Sequence, residues 1–102
     1  GLLPHVRQAD VARVHSLRRG AAEALELVVR GERGSSRVVG RRIEELPEIH
    51  GASIAAVVRG ERVIIPHHDT LIQAGDHVII FCTQKKLVRK VEKLFQVGFH
   101  FL

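Results

Sequence analysis

Two short apolar stretches constrain the fold of this chain most strongly: ASIAAVV at residues 52–58 and HVIIFCT at residues 77–83. Each has the length and β-branched content of a strand. Successive side chains of a strand point to opposite sides, yet the second stretch is apolar at both Ile79 and Ile80. Both faces of the sheet must therefore be covered. Because a chain of 102 residues builds only one modest core, we expect another copy or domain to cover part of this surface.

Turn signals around these stretches indicate antiparallel pairing. GE at residues 60–61 fits a two-residue hairpin turn, after which RVII at residues 62–65 returns beside the first stretch. Pro66 cannot donate a backbone hydrogen bond and ends that strand. QAGD at residues 73–76 is a second tight turn that leads into the second stretch. Two further strands are predicted upstream, at residues 11–16 and 25–29.

Two helices are predicted from caps and helical spacing. Ser36 can cap a short helix that Pro47 stops. Thr83 can cap a second helix at residues 84–95, for which Gly98 is the expected stop. The apolar residues at helical spacing are Val39, Ile43 and Leu46 in the first helix and Leu87, Val91, Leu94 and Phe95 in the second. The predicted fold class is therefore α+β: a small, mostly antiparallel β domain with short helices, including a C-terminal amphipathic helix.

Several quoted segments resemble a known family. VVGRRIEELP at residues 38–47 and the run from GASIAAVV to HVIIF at residues 51–81 resemble the C-terminal half of the regulator-of-potassium-conductance module. VARVHSLRRGAAEALELVV at residues 11–29 and VRKVEKLFQ at residues 88–96 are similar to the last domain of regulatory subunits of bacterial Trk potassium uptake systems. The similarity extends over nearly the whole chain.

This resemblance implies a domain without catalytic activity that pairs with its own kind and helps to assemble a ring beneath a membrane potassium channel subunit. It implies that residues 1–20 are a helix end and a strand from a preceding nucleotide-binding half, and that residues 21–102 are the regulatory domain. It places the protein in the cytoplasm at the inner face of the plasma membrane. The family's nucleotide site uses G-x-G-x-x-G, whereas Gly31, Gly34 and Gly40 have other spacing. NAD or ATP is therefore expected only in the upstream domain, with no cofactor here.

His67-His68-Asp69 is the first candidate for a chemical site. A zinc site requires at least three protein ligands, and neighbouring residues of an extended segment point apart, so His67 and His68 are not expected to chelate together. The simpler interpretation is a strand-ending turn in which Asp69 or Thr70 bonds backbone groups. The alternative hypothesis is a small-ligand sensor, in which Arg59, His67 and His68 contact a ligand. The resemblance makes a nucleotide or cyclic dinucleotide the ligand to consider.

No catalytic constellation is recognisable in the sequence. Glu44 and Glu45 are consecutive, which separates their directions on a helix by about 100°. Ser35 and Ser36 lack the G-x-S-x-G pattern of a nucleophile elbow. Cys82 lies in an apolar strand, where a buried thiol is unreactive. We predict no catalytic, cofactor-binding or metal-binding residue, and no enzymatic activity.

The net charge of +5 lies in the first part of the chain, where residues 1–42 hold nine arginines against four acidic residues. Since phosphate contacts dominate nucleic-acid binding, a basic nucleic-acid-binding module is a second alternative. Interspersed acids and missing stacking aromatics oppose it, and we expect no nucleic-acid partner. The lysines of the last helix can be solvated or face an anionic membrane. Phe99 and Phe101, beyond that helix, are the predicted interface residues.

Overall fold

The computed structural model describes residues 10–17 and 22–98. The strands are β1 (Asp10–Leu17), β2 (Ala22–Val28), β3 (Ala52–Arg59), β4 (Arg62–Ile64) and β5 (His77–Cys82). Two 3₁₀ turns cover Ile43–Glu45 and Lys85–Leu87, and the second continues into helix α1 (Val88–Leu94). The strands form one sheet in the order β1-β2-β5-β3-β4, with every neighbouring pair antiparallel. The predicted α+β class is confirmed.

The register of the central strands gives the sheet a buried face, which we call the core face. Leu27 of β2 lies opposite Val78 of β5, which in turn lies opposite Val57 of β3. All three side chains are fully buried. Residues from outside the sheet complete this core: Val29, Val38, Ile72, Leu87, Val91 and Phe95. Burying one Val or Leu side chain is worth about 1.5–3 kcal/mol, so this face supplies most of the folding energy.

A bulge in β3 decides which of its side chains reach the core face. Ile54 lies opposite Ile80, but the register shifts before Ala56, which leaves Ala55 as the extra residue. Strict alternation would place Ala56 on the core side and turn Val57 away from it. The extra residue reverses this order, so that Val57 becomes fully buried.

The β3–β4 hairpin has the predicted two-residue turn. Arg59 lies opposite Arg62, which leaves Gly60 and Glu61 as the loop. Gly60 adopts φ of 61°, a left-handed conformation that glycine reaches without steric cost. β4 ends before Pro66, as the missing N–H of proline requires.

The predicted helix after Ser36 is wrong. The Ser36 hydroxyl accepts hydrogen bonds from two following backbone N–H groups, at 3.0 and 3.1 Å, as a cap would. The chain then turns at Gly40, whose φ is 74° and whose N–H donates to the carbonyl of Ile72 at 2.8 Å. The N–H of Ile72 donates back to Arg41 at 2.9 Å. Because this backbone bonds to another segment rather than to itself, only the 3₁₀ turn Ile43–Glu45 remains helical.

The C-terminal helix has its predicted apolar stripe but neither predicted end. Its first turn is 3₁₀, the cap position is Gln84, and no side chain caps it. The N–H of Thr83 donates to the carbonyl of Gly51 at 2.8 Å, which ties Thr83 to the segment before β3. α1 ends at Leu94, and the N–H of Gly98 donates to Ser35 at 2.9 Å. Thr83 is thus not the cap, and Gly98 is not the stop. The buried members of the stripe are Leu87, Val91 and Phe95.

Candidate functional site

The double-histidine segment forms the predicted turn. The N–H of His67 donates to Thr70 Oγ1 at 2.9 Å, and the N–H of Thr70 donates to the carbonyl of His67 at 3.1 Å. The carbonyl of His68 accepts a hydrogen bond from the N–H of Glu44 at 2.9 Å, which fastens the turn to the first 3₁₀ turn. The turn interpretation is confirmed, and Thr70 supplies the side chain that stabilises it.

The imidazole of His68 lies at the surface. Its side chain is 77% exposed, and Nδ1 lies 3.0 Å from Glu44 Oε2. A contact this exposed contributes at most about 1 kcal/mol. Within residues 10–17 and 22–98, no group of three or more His, Cys, Asp and Glu side chains could hold a metal ion.

Arg59 forms a bidentate ion pair with a buried carboxylate. Asp76, which is 1% exposed, accepts hydrogen bonds from Arg59 Nε at 2.8 Å and from Arg59 Nη2 at 2.9 Å. The same Nη2 donates to the carbonyl of Leu71, and Asp76 Oδ2 also accepts the N–H of Gln73, both at 2.9 Å. Hydrogen bonding to Asp76 raises the pKa of Arg59 further above its usual value, although desolvation opposes the change. The guanidinium therefore holds β3 to the turn before β5.

The residues of the hypothetical ligand contact have different surroundings. Arg59 is engaged by Asp76 and Leu71, whereas His67 and His68 are exposed in their turn. In the part of the chain that the structure describes, no hydrogen bond or ion pair joins Arg59 to either histidine. A ligand contact that involves all three stays a prediction. The predicted interface residues Phe99 and Phe101 lie outside the described residues.

A groove of about 390 Å³ opens on the core face between the first 3₁₀ turn, β3 and α1. We call it the apolar groove. Its sheet residues include Ile54 and Ile80, and Glu44 and Glu48 are exposed at its mouth. Its walls are Ile43, Leu46 and Ile49 on one side and Val91, Leu94 and Phe95 on the other. This volume suits a small ligand, but none of the three residues of the hypothetical ligand contact lines the groove.

The side of the sheet opposite the core face, which we call the outer face, is largely apolar. Phe81 of β5 is 48% exposed, and Val63 of β4 is 66% exposed. Ile79 lies between them in the strand register and is half-buried. The other members on the central strands are Ala24, Glu26, Val28, Ser53, Ala56, Val58 and His77. Exposed apolar side chains on the face that lacks the core are typical of an association surface.

A polar cluster crosses the outer face. His77 Nδ1 lies 2.6 Å from Glu26 Oε2, and Arg13 Nε lies 3.9 Å from Glu26 Oε1. The Arg13 side chain is 70% exposed, whereas that of Glu26 is 25% exposed. Charged groups among apolar neighbours fix the orientation of a partner more than they add affinity.

Comparison with known proteins places the chain in a family. Residues 33–96 match the family described as the TrkA-C domain, which is more than half of the chain. This chain belongs to the TrkA-C domain family. It is 53% identical over 100 residues to the Trk system potassium uptake protein TrkA of Halomonas elongata. It is 52% and 46% identical, over 101 residues each, to the proteins of that name from Vibrio alginolyticus and Haemophilus influenzae.

The similarity covers nearly all of this TrkA-C chain but a small part of each relative. The alignments include 98–99% of the chain and 22% of each of the three relatives. The chain therefore spans about a fifth of the length of the curated relatives it matches. In residues 10–17 and 22–98, no helix has the length and apolar character needed to cross a bilayer.

Sequence reasoning missed two features of the TrkA-C structure. Asp76 was interpreted only as a turn residue, although it is the buried partner of Arg59. The signal available was its position two residues before Val78, which gives both side chains the same direction on the strand. The apolar groove left no comparable signal, because its walls come from three separate segments.

The single cysteine of this TrkA-C domain should be unreactive in the native state. Cys82 is fully buried, and burial, followed by the charge of Glu23, raises the pKa of its thiol. Since the thiolate is the reactive form, we expect alkylation by iodoacetamide to be at least about 100-fold slower than in the urea-unfolded chain. Mass spectrometry at matched pH measures both rates. Equal rates in the two states would contradict the burial of Cys82.

Proposed function

We propose that this chain is a non-catalytic regulatory and oligomerisation domain of a cytoplasmic subunit that gates bacterial potassium uptake. The observation that carries the proposal is the outer face, where Phe81 and Val63 expose apolar surface to solvent. The relatives support it, because they bear the name Trk system potassium uptake protein TrkA. Its partners are a second copy of itself, a preceding nucleotide-binding domain and a membrane potassium channel subunit. It acts at the inner face of the plasma membrane.

The sheet provides a mechanical connection for this role. Residues 1–20 are assigned to the end of the preceding nucleotide-binding half. NAD or ATP would bind in that preceding half and not in this chain. β1 lies within residues 1–20 and is hydrogen-bonded to β2 along its length. A displacement of the preceding half would therefore move the sheet and any copy docked on it. Couplings of this kind are typically about 1–3 kcal/mol per effector, which is sufficient to bias a gate.

A charge placed on the outer face tests the association. Phe81→Asp removes an exposed aromatic side chain and would bring a carboxylate into the contact. We expect the chain to associate at micromolar concentration and the dissociation constant to rise at least about tenfold in the variant, since burying a Phe is worth about 1.5–3 kcal/mol. Multi-angle light scattering over a concentration series measures both.

The matched control is Val14→Asp. The exposed fraction of Val14, 51%, is similar to that of Phe81. Val14, however, lies opposite Leu25 and therefore on the core side of the sheet. Val14→Asp introduces the same charge and should leave the dissociation constant within about twofold. Val63→Asp, at the margin of the outer face, is a second test if Phe81→Asp fails to fold. A wild-type chain that stays monomeric at high micromolar concentration would contradict the proposal.

The volume of the apolar groove favours a second candidate function, the sensing of a small ligand. The resemblance makes a nucleotide or cyclic dinucleotide the ligand to test. Titration calorimetry with these ligands tests it directly. His67→Ala/His68→Ala weakens binding if the double-histidine turn contacts the ligand, whereas Ile49→Asp weakens it if the ligand occupies the groove. No heat with any of these ligands would leave the regulatory and oligomerisation role alone. Retention of DNA at low salt would instead favour the nucleic-acid alternative.

A further inference from the structure

The segment Lys85–Leu94 presents a row of cations on its exposed side. Arg89 and Lys93 are four residues apart in α1 and therefore lie on one side of the helix, and Lys85 lies in the 3₁₀ turn that leads into it. Lys86 and Lys90 repeat this spacing directly beside them. We call these five residues the basic face. All five side chains are exposed.

These cations have no partner within the domain as far as the described residues show. None of the five forms a side-chain hydrogen bond or an ion pair with another described residue. The single acid of the helix, Glu92, is half-buried. With Arg89, Lys90 and Lys93 it lines a shallow depression of about 370 Å³. The basic face therefore retains an excess of positive charge that faces solvent.

Helix formation does not account for this arrangement. Like charges four residues apart repel one another and disfavour a helix, and Arg89 and Lys93 form such a pair within α1. Lys85 and Lys86 also stand at the N-terminal end, where the helix dipole favours acids rather than bases. No acidic residue occurs in the first turn of either the 3₁₀ segment or α1. The charge pattern is thus unfavourable within the isolated domain and becomes favourable beside an anionic surface.

The structure limits what that surface can be. The apolar side of the segment packs against the domain's own core, where Leu87 is 7%, Val91 1% and Phe95 3% exposed. The segment therefore has no free apolar side that could insert into a partner. Four of the five cations are lysines, which act as point charges and lack the bidentate geometry of arginine. No aromatic side chain stands among them to stack on a base. A broad, diffuse array of negative charge fits these properties best.

We propose that the basic face binds the anionic phospholipid headgroups of a bilayer surface, lying on them without insertion. This interaction is separate from the proposed association, because α1 packs on the core face and the outer face is on the opposite side of the sheet. A domain with this geometry contacts a membrane with one side while the other holds a second copy. It also sets the orientation of the sheet relative to the bilayer.

Vesicle co-sedimentation of the 102-residue chain tests the proposal. We expect binding to vesicles that contain phosphatidylglycerol and none to pure phosphatidylcholine. Each basic residue near an anionic surface strengthens partitioning about fivefold, so Lys90→Gln/Lys93→Gln should bind about 25-fold more weakly. Binding should also vanish near 1 M salt, where the screening length is about 3 Å.

Arg42→Gln/Arg62→Gln is the matched control, because it removes the same charge from exposed positions outside the segment. This variant should bind within about threefold of the wild type. Equal losses in the two double variants would overturn the proposal, since net charge alone would then explain the binding. The proposal would also be overturned if the wild type did not bind vesicles that contain phosphatidylglycerol. It would be overturned as well if the wild type bound duplex DNA through Lys90 and Lys93 more tightly than vesicles. Light scattering of Lys90→Gln/Lys93→Gln should be unchanged, which separates this test from that of the outer face.

Discussion

Asp76→Ala is expected to lower the free energy of unfolding by about 1.5–3 kcal/mol, because the buried carboxylate accepts three hydrogen bonds, whereas its partner Arg59 is 30% exposed and can regain contact with water. In this variant, Nε and Nη2 of Arg59 lose the carboxylate to which they donate. The N–H of Gln73 also loses its acceptor, Asp76 Oδ2. The turn before β5 would then lose its connection to β3. Urea unfolding followed by circular dichroism gives the free-energy change.

Two further variants interpret that result. Asp69→Ala removes an exposed carboxylate from the neighbouring turn and should change stability by less than about 0.5 kcal/mol. Arg59→Met/Asp76→Leu removes both charges together and should recover part of the loss, because neither charge is then left without its partner. If Asp76→Ala were as mild as Asp69→Ala, the Arg59–Asp76 pair would not exist in solution.

Gly51→Ala should destabilise the domain by about 2–4 kcal/mol, from backbone strain and overpacking together. Gly51 precedes β3 with φ of 92°, a conformation that side chains disfavour. A Cβ atom there would lie 2.7 Å from both Leu87 Cδ1 and Thr83 Oγ1, which is closer than real contacts allow. The side chains of Leu87 and Thr83 would have to shift, and Leu87 is packed in the core. The midpoint of thermal unfolding measures the effect.

Gly34→Ala is the control for this substitution. A Cβ atom at Gly34 meets no atom within 4 Å, and its φ lies outside the left-handed range. Because alanine restricts the unfolded chain more than glycine does, the variant should be neutral or up to about 1 kcal/mol more stable. Similar midpoints for Gly51→Ala and Gly34→Ala would mean that Leu87 does not pack against Gly51.

The parts of the fold that could be predicted from the sequence are those that local rules determine. The hairpin at Gly60 and Glu61 follows from a left-handed glycine between two β-type runs, and Pro66 ends a strand wherever it occurs. The apolar stripe of the C-terminal segment identified its buried side for a similar reason, because helical spacing alone selects those residues.

Long-range backbone pairing explains most of what could not be predicted. Ser36 is a good cap by every local rule, yet the N–H of Gly40 finds the carbonyl of Ile72, some thirty residues away, and the helix does not form. The bulge at Ala55 could not be predicted from the sequence either, because both registers of β3 bury apolar side chains. The candidate site was harder to predict than the fold, because the apolar groove forms only when three separate segments meet.

The short length of β4 limits how copies of the domain can associate. A three-residue border strand closed off by proline offers few free amides and carbonyls for another polypeptide to extend the ladder. Growth of the sheet at this margin is therefore blocked. Copies of the domain are therefore expected to meet through the outer face of the sheet rather than by adding a strand beside β4.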